Sequence, residues 1–461
     1  MSSASKQYRW FYSFFLSNVP NGGTAPLIPL FVVIAFSGNV IQVGLVTAAT
    51  SIASIPAYIV WGNLSDHLHL RKLFVIEGFA GLALSMFVMA ASLDFTAFCI
   101  ANFLLGLLFT ASAPAGTALL IEQTPKEMWS SLLGKFSKLG GAGYLSGLIM
   151  GALWFELFPP NSTYMRLFFI FVGLMASAST VLASVMIREA PSERRKHHAH
   201  IHRNSIAEIP LRVNERAKYL PSRVTSFVKL VGPSGEGRGE LGRRIWFYFL
   251  VTILISTGFT SFYVVFPNYL ADFLGRRFGI TESYVFTVYI ASSVASTITY
   301  GSVSRFCSIL SEKSVQSFAL LSRIILIPLF FILPLVLSSG MEVLLSMIVL
   351  NALMGFCWAV ISVTGQSIVA RMAGPHTRGE AIGLYNSSMG VGSILGSIVA
   401  GFVTEIYGYA MDFLMASAWI VSGLIFLSAL NVSSAGMQTG TGRTGSRRKT
   451  LAVLRSLLGF G

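Results

Sequence analysis

Apolar stretches dominate the chain, and their lengths carry the first structural message. A helix needs about 20 residues to cross roughly 30 Å of hydrocarbon. Runs that meet this requirement lie near 9–34, 41–61, 73–92, 95–121, 131–157 and 165–187, and again near 245–270, 284–304, 315–337, 342–370, 380–406 and 410–431. The pattern predicts an all-α membrane protein of about twelve transmembrane helices in two pseudo-symmetric six-helix bundles. The expected units are 1–188, a polar interval 189–244, 245–431 and a tail 432–461.

The polar interval has a texture of its own. It opens with Arg194-Arg195-Lys196 and a histidine run, His197-His198-Ala199-His200-Ile201-His202, and ends in a Gly-rich stretch from Gly232 to Gly242. Between them Ile206, Ile209, Val213, Leu220, Val224 and Phe227 recur at near-helical spacing among basic residues, interrupted by Pro210 and Pro221. Short amphipathic helices at a membrane surface fit this pattern. The tail repeats it, with Arg447-Arg448-Lys449 leading into Leu451, Leu454, Leu457 and Leu458. The histidines lack the fixed spacing of a metal site, so no metal and no cofactor is expected.

Composition agrees with the pattern: 54% of the residues are hydrophobic and 11% charged, where soluble domains carry about a quarter charged. The formal charge of +14 does not imply nucleic acid, because the basic residues gather on one side of the spans. Lys6, Arg9, Arg71, Lys72, Lys126, Arg305, Lys313, Arg371, Arg378, the polar interval and the tail fall on one side. Arg166, Arg276 and Arg277 fall on the other, with Asp94, Glu156, Asp272, Glu282, Glu342, Glu405 and Asp412. The bias toward positive cytoplasmic segments then places both termini in the cytoplasm of a multi-pass cell-membrane protein. Cys99, Cys307 and Cys357 are scattered and suggest neither a disulfide nor a metal site.

The two halves echo each other in register. Asn102, Gly106, Glu122, Gly134, Gly141, Gly143 and Gly147 recur as Asn351, Gly355, Arg371, Gly383, Gly390, Gly392 and Gly396, each 249 residues later. Gly62, Ser65 and Asp66 recur as Gly301, Ser304 and Arg305 at an offset of 239. Such duplication, with a site at the repeat interface, is an architecture of secondary transporters.

The segment Gly62-Asn63-Leu64-Ser65-Asp66-His67-Leu68-His69-Leu70-Arg71-Lys72 resembles the loop 2–3 signature of the major facilitator superfamily, which runs Gly, any residue, Leu, small, Asp and then a basic cluster. Glu122 with Pro125, and Arg378-Gly379 with Ala381 and Gly383, resemble the inner ends of that family's helices 4–5 and 10–11. The resemblance covers roughly residues 8–431. It departs at His69 and Leu70 in the signature, and at Asn102, where the family's drug antiporters carry Arg. The Pro of the antiporter motif in helix 5 is missing, and Gly143, Gly147 and Gly151 stand at four-residue intervals instead.

The resemblance implies a monomeric carrier of a small-molecule substrate, secondary active or facilitative, that works by alternating access. It also implies an inner latch built from Gly62, Asp66, Arg71 and Glu122, mirrored by Gly301, Arg305, Arg371 and Arg378, with Arg71 pairing with Glu122. Helices 1, 4, 7 and 10 line the cavity in this family, which nominates Asn18, Asn21, Asn102, Tyr263, Asn268, Asn351 and Trp358 as substrate contacts. The polar groups read at depth are neutral, so a neutral, zwitterionic or amphipathic solute is expected. Gly143, Gly147, Gly151, Gly392 and Gly396 are read as close-packing positions at a moving interface. Pro114, Pro267 and Gly22-Gly23 are expected to break helices 4, 7 and 1. Lys135 and Lys138 read as snorkelling to lipid phosphates.

Two alternatives stand beside this reading: a proton-coupled drug or metabolite exporter using Glu77 or an acid of the outer half, and a transporter-like sensor or scaffold whose basic loop and tail bind a partner. No Ser/His/Asp set, carboxylate pair or nucleotide loop points to an enzyme.

Overall fold

The computed structural model describes residues 9–68, 70–122, 129–187, 239–279, 282–372 and 378–430. The His197–His202 run, the basic tail, Ser234 and Pro125 lie outside them. Twelve helical spans follow in order. The first half holds span 1 (Phe11–Thr24 and Leu27–Phe36), span 2 (Val40–Leu68), span 3 (Arg71–Ala91), span 4 (Phe95–Phe109 and Ser112–Glu122), span 5 (Trp129–Leu157) and span 6 (Ser162–Met186). The second half holds span 7 (Gly239–Asn268, the π-helical Tyr269–Leu274 and Gly275–Phe278), span 8 (Glu282–Tyr300), span 9 (Glu312–Val336), span 10 (Gly340–Met372), span 11 (Arg378–Tyr407) and span 12 (Tyr409–Ala429).

Among the described residues nine of these helices are long and apolar enough to cross a bilayer, or ten with the bent first span. Spans 5 and 8 fall short in hydropathy, not in length. Span 8 carries Ser292, Ser293, Ser296 and Thr297 and span 5 several glycines, and both turn a face to the central cavity instead of lipid; Lys135 and Lys138 lower the hydropathy of span 5 further at its exposed start.

Local chemistry sets the boundaries. Asp94 caps span 4 by accepting from the Ala97 N–H at 2.8 Å, Asn161 caps span 6 through the Tyr164 N–H at 3.0 Å, and Ser311 caps span 9 through the Ser314 N–H at 3.2 Å. Gly408 turns the chain from span 11 into span 12 at φ +81°, where a side chain would be strained.

Proline explains the breaks. Pro114 cannot donate to the carbonyl of Thr110, and span 4 is interrupted between Phe109 and Ser112, one turn before it. Span 1 bends by 44° between Thr24 and Leu27; the break sits at Ala25-Pro26 and not at Gly22-Gly23, since glycine merely permits a bend that Pro26 enforces. Span 7 runs through Pro267 and widens into its π-helical turn directly after it, so this proline distorts the helix without ending it. Two loops also prove shorter than their composition suggests. Span 2 continues to Leu68, which puts Gly62 and Asp66 on a helix, and span 7 begins at Gly239, inside the Gly-rich stretch.

The contacts obey the internal repeat. In the first half span 1 packs on 5 and 6, span 2 on 4, and span 3 on 4 and 6. In the second, span 7 packs on 11 and 12, span 8 on 10, and span 9 on 10 and 12. The glycine stripes serve these pairings. A Cβ at Gly147 would overlap the carbonyl of Val19, and one at Gly396 the carbonyl of Thr257. Gly143 and Gly392 likewise abut Phe15 and Ile253. These four glycines therefore draw spans 1 and 5, and 7 and 11, together within each half; Gly151 alone of the expected set faces the other half, against Phe286. Large apolar side chains such as Val185, Ile298 and Ile325 point outward from the bundle, where a bilayer is their natural solvent.

Candidate functional site: the cavity between the halves

The main crossings between the halves are span 2 against span 11 and span 5 against span 8, and the repeat exchanges one for the other; span 7 adds smaller contacts to spans 1 and 2. We call the side where span 1 begins and span 12 ends the terminal face, and the other the far face. The joints close toward the far face. There the Val40 N–H donates to the Glu405 carboxylate at 3.1 Å, and the Phe155 and Phe286 rings stack at 5.4 Å. Gly44 lies so close to the carbonyl of Ser397 that no side chain would fit. Deeper in, the hydroxyls of Ser51 and Ser393 share a hydrogen bond of 3.1 Å across the same joint.

Below this seal, toward the terminal face, lies a cavity of about 1390 Å³. Spans 1, 2, 4, 5, 7, 8, 10 and 11 all contribute to its wall. The wall combines aromatic faces (Phe259, Tyr263, Tyr289, Trp358) with a row of hydroxyls on span 8 (Ser292, Ser293, Ser296, Thr297). Among the described residues that line it there is no carboxylate. Its only charged member is Arg71, near the terminal-face end, whose Nη1 donates to Ser65 Oγ at 2.7 Å.

The nominated substrate contacts divide. Asn102, Tyr263 and Trp358 stand on the wall. Asn102 spends its Nδ2 on the carbonyl of Phe98 at 2.9 Å, one turn back. Asn351, its repeat counterpart, is fully buried and donates to the Val288 carbonyl at 2.8 Å, bonding span 10 to span 8. Asn18 donates to the Phe14 carbonyl at 2.8 Å and Asn21 is half-buried; neither is among the lining residues. Asn268 is buried beside the π-helical turn, with neither amide atom partnered among the described residues.

Of the latch residues, the surroundings of Gly62 and the side chains of Asp66, Glu122 and Arg378 lie outside the described set. Gly301 sits in the turn after span 8 and Arg305 is exposed on the short helix Val303–Ile309. In the second half the Arg371 Nε meets Glu312 Oε1 at 3.0 Å, and the same oxygen accepts from Ser367 at 2.5 Å. Glu312 opens span 9 as Arg71 opens span 3, and Arg371 ends span 10 as Glu122 ends span 4. The expected Arg71–Glu122 pair thus has a mirror with the charges exchanged. Lys135 and Lys138 are exposed at the terminal-face start of span 5.

The expectation that groups at depth are neutral is not met. Arg323, near the middle of span 9, is fully buried. Its Nη2 donates to the carbonyl of Met354 at 3.0 Å, and its guanidinium lies 4.1 Å from the Phe259 ring, 5.7 Å from Tyr263 and 5.9 Å from Trp358. Asp412, read from sequence as an outer-segment acid, is also fully buried; its Oδ1 accepts from Ser261 at 2.5 Å and its Oδ2 has no partner among the described residues. The signal for Arg323 was its position: a cation at mid-span is too deep to snorkel and has to turn inward. Asp412 gave no such signal, because it stands at a span end where solvated acids are common.

The model of the Major Facilitator Superfamily matches residues 10–347 and 248–460. An uncharacterized MFS-type transporter of Methanocaldococcus jannaschii is 23% identical over 428 residues, which cover 90% of this chain and 92% of that one. The multi-drug resistance efflux pump PmrA of Streptococcus pneumoniae is 28% identical over 186 residues, 39% of this chain and 44% of that one. A crystal structure of the nucleoside transporter NupG superposes with a TM-score of 0.71 at 14% identity, over 92% of this chain and 100% of that one, a likeness of fold. A duplicated twelve-span bundle around a central cavity, matched along its length by this family model, belongs to the Major Facilitator Superfamily and is a membrane transporter.

Proposed function

We propose that the chain carries a small organic solute through the cavity between its halves by alternating access, as a monomer in the cell membrane with the terminal face cytoplasmic. The observation that carries the reading is the asymmetry of the two joints. Both are closed toward the far face by Val40–Glu405, Gly44–Ser397 and Phe155–Phe286, and the cavity lies on the terminal side of them. This arrangement fits an inward-facing state, and rocking of one half on the other about the two crossings would reverse it.

Spin labels at Ser162 and Ser339, one on the far face of each half, test the reading without any substrate. Their distance distribution in nanodiscs should be bimodal, and a disulfide between Ser51→Cys and Ser393→Cys should collapse it to the short population. A single distance that the disulfide leaves unchanged would refute alternating access.

A second reading has one observation in its favour. The proton-coupled alternative names Glu77 or an acid of the outer half; among the described residues Asp412, one of those outer acids, is a fully buried carboxylate, and such a group within a span is a natural proton carrier. If coupling runs through Asp412, Asp412→Asn should abolish the dependence of flux on a pH gradient while preserving exchange. A gradient response equal to that of the native chain would exclude it.

A further inference from the structure

We propose that the transported solute is an organic anion, and that Arg323 is the residue that selects for its negative charge. The inference rests on the transport reading and concerns the substrate class at the same cavity. Span 9 belongs to the outer ring of the second half, yet Arg323 passes inward between spans 7 and 10. It stops directly behind three aromatic side chains, Phe259, Tyr263 and Trp358, that form part of the cavity wall.

Its hydrogen bonding is incomplete. One of its three nitrogens reaches a carbonyl; Nε and Nη1 have no partner among the described residues, and no carboxylate there pairs with it. A buried cation of this kind is unfavourable unless a counter-charge arrives. Aromatic faces soften that cost without neutralising the charge. The wall supplies no counter-charge, since no acid lines the cavity in the described residues. The anion therefore has to come from the solute.

The rest of the wall suits such a ligand. The hydroxyls of Ser292 and Ser293 can donate to carboxylate, sulfonate or phosphate oxygens, while the rings of Phe259, Tyr263 and Trp358 accept an apolar or aromatic body. Across a wall of low dielectric, the field of an unscreened guanidinium reaches the cavity with little loss. Arg323 acts through this field and through the rings stacked on it, so it is a positioning and selectivity residue.

The test uses the full chain in nanodiscs and two xanthene dyes of similar shape and opposite charge at pH 7.5, fluorescein and rhodamine 123, with binding read by fluorescence polarisation. The native protein should bind fluorescein at least tenfold more tightly than rhodamine 123. Arg323→Met should remove that preference and leave rhodamine 123 binding unchanged or stronger, and Arg323→Lys should restore most of it. Should Arg323→Met fail to fold, the dye ratio of the native protein and of Arg323→Lys still decides. Equal binding, a preference for rhodamine 123, binding of neither dye, or a preference that survives in folded Arg323→Met would overturn the proposal. Loss of the alternating distances above would instead overturn transport itself, whatever the dyes do.

Discussion

Asn102 and Asn351 occupy the same place in the two repeats, and their surroundings assign them different work. Asn351 donates across to span 8 from a fully buried position. Its removal deletes this bond between spans, while the Val288 carbonyl keeps its place in the helical ladder, so Asn351→Ala should lower stability by roughly 0.5–1.5 kcal/mol, seen as a reduced melting temperature in detergent with solute affinity little changed. Asn102 bonds only within its own helix and its side chain borders the cavity. Asn102→Ala should weaken binding of a transported solute by roughly 1–3 kcal/mol, the cost of an unsatisfied buried partner, with little change in melting temperature or pH dependence. Unchanged binding together with a lowered melting temperature would show that Asn102 too is interhelical glue.

At the scale of helices, backbone proximity and terminal charges carry the argument. Spans 1 and 5, and 7 and 11, touch backbone to backbone only because Gly147 and Gly396 have no side chain. Gly396→Leu must push spans 7 and 11 apart and should destabilise by about 1–3 kcal/mol or more, as overpacking does; a melting temperature equal to the native one would contradict this packing. The Glu312–Arg371 pair ties the ends of spans 9 and 10, but the Arg371 side chain is 72% exposed. A double-mutant cycle on the two should therefore return only about 0.2–1 kcal/mol of coupling energy. The pair matters to function only if the alternate state breaks it, which a larger coupling in flux than in melting temperature would reveal.

For the whole molecule, orientation and state are the quantities that two labelling experiments read. Cysteines at Ser37, Ser162 and Ser339, in a background without Cys99, Cys307 and Cys357, should react with an impermeant thiol reagent from outside the cell, and one at Ser234 should not. The reverse pattern would invert every inside and outside assignment. Asp66 stands on the last turn of span 2, at its terminal-face end. We expect Asp66→Asn to shift the spin-label distances toward the inward-facing population while leaving the fold intact, and a shift the other way would show that Asp66 does not latch the terminal face.

Much of this was legible in one dimension. The helical bundle and most helix boundaries followed from apolar run lengths, because a bilayer imposes the same minimum length on every crossing, while spans 5 and 8 are helices less apolar than that requirement. The fixed offsets between repeats anticipated the matching packing pairs, since duplicated sequence makes duplicated contacts. Signals of partnership were not legible. The chain does not record which side of a helix meets another, so Asn102 and Asn351 read alike although one faces the cavity and the other a neighbouring backbone. Gly143 and Gly392 read as a moving interface although they pack inside each half. Arg323 sits on an outer-ring span among apolar neighbours, and only the docking of spans 7 and 10 over it turns its charge toward the centre. Burial of Asp412 against Ser261 depends on the docking of span 7 on span 12. Run length and repeat are properties of the chain, whereas the environment of a charge is a property of what packs around it.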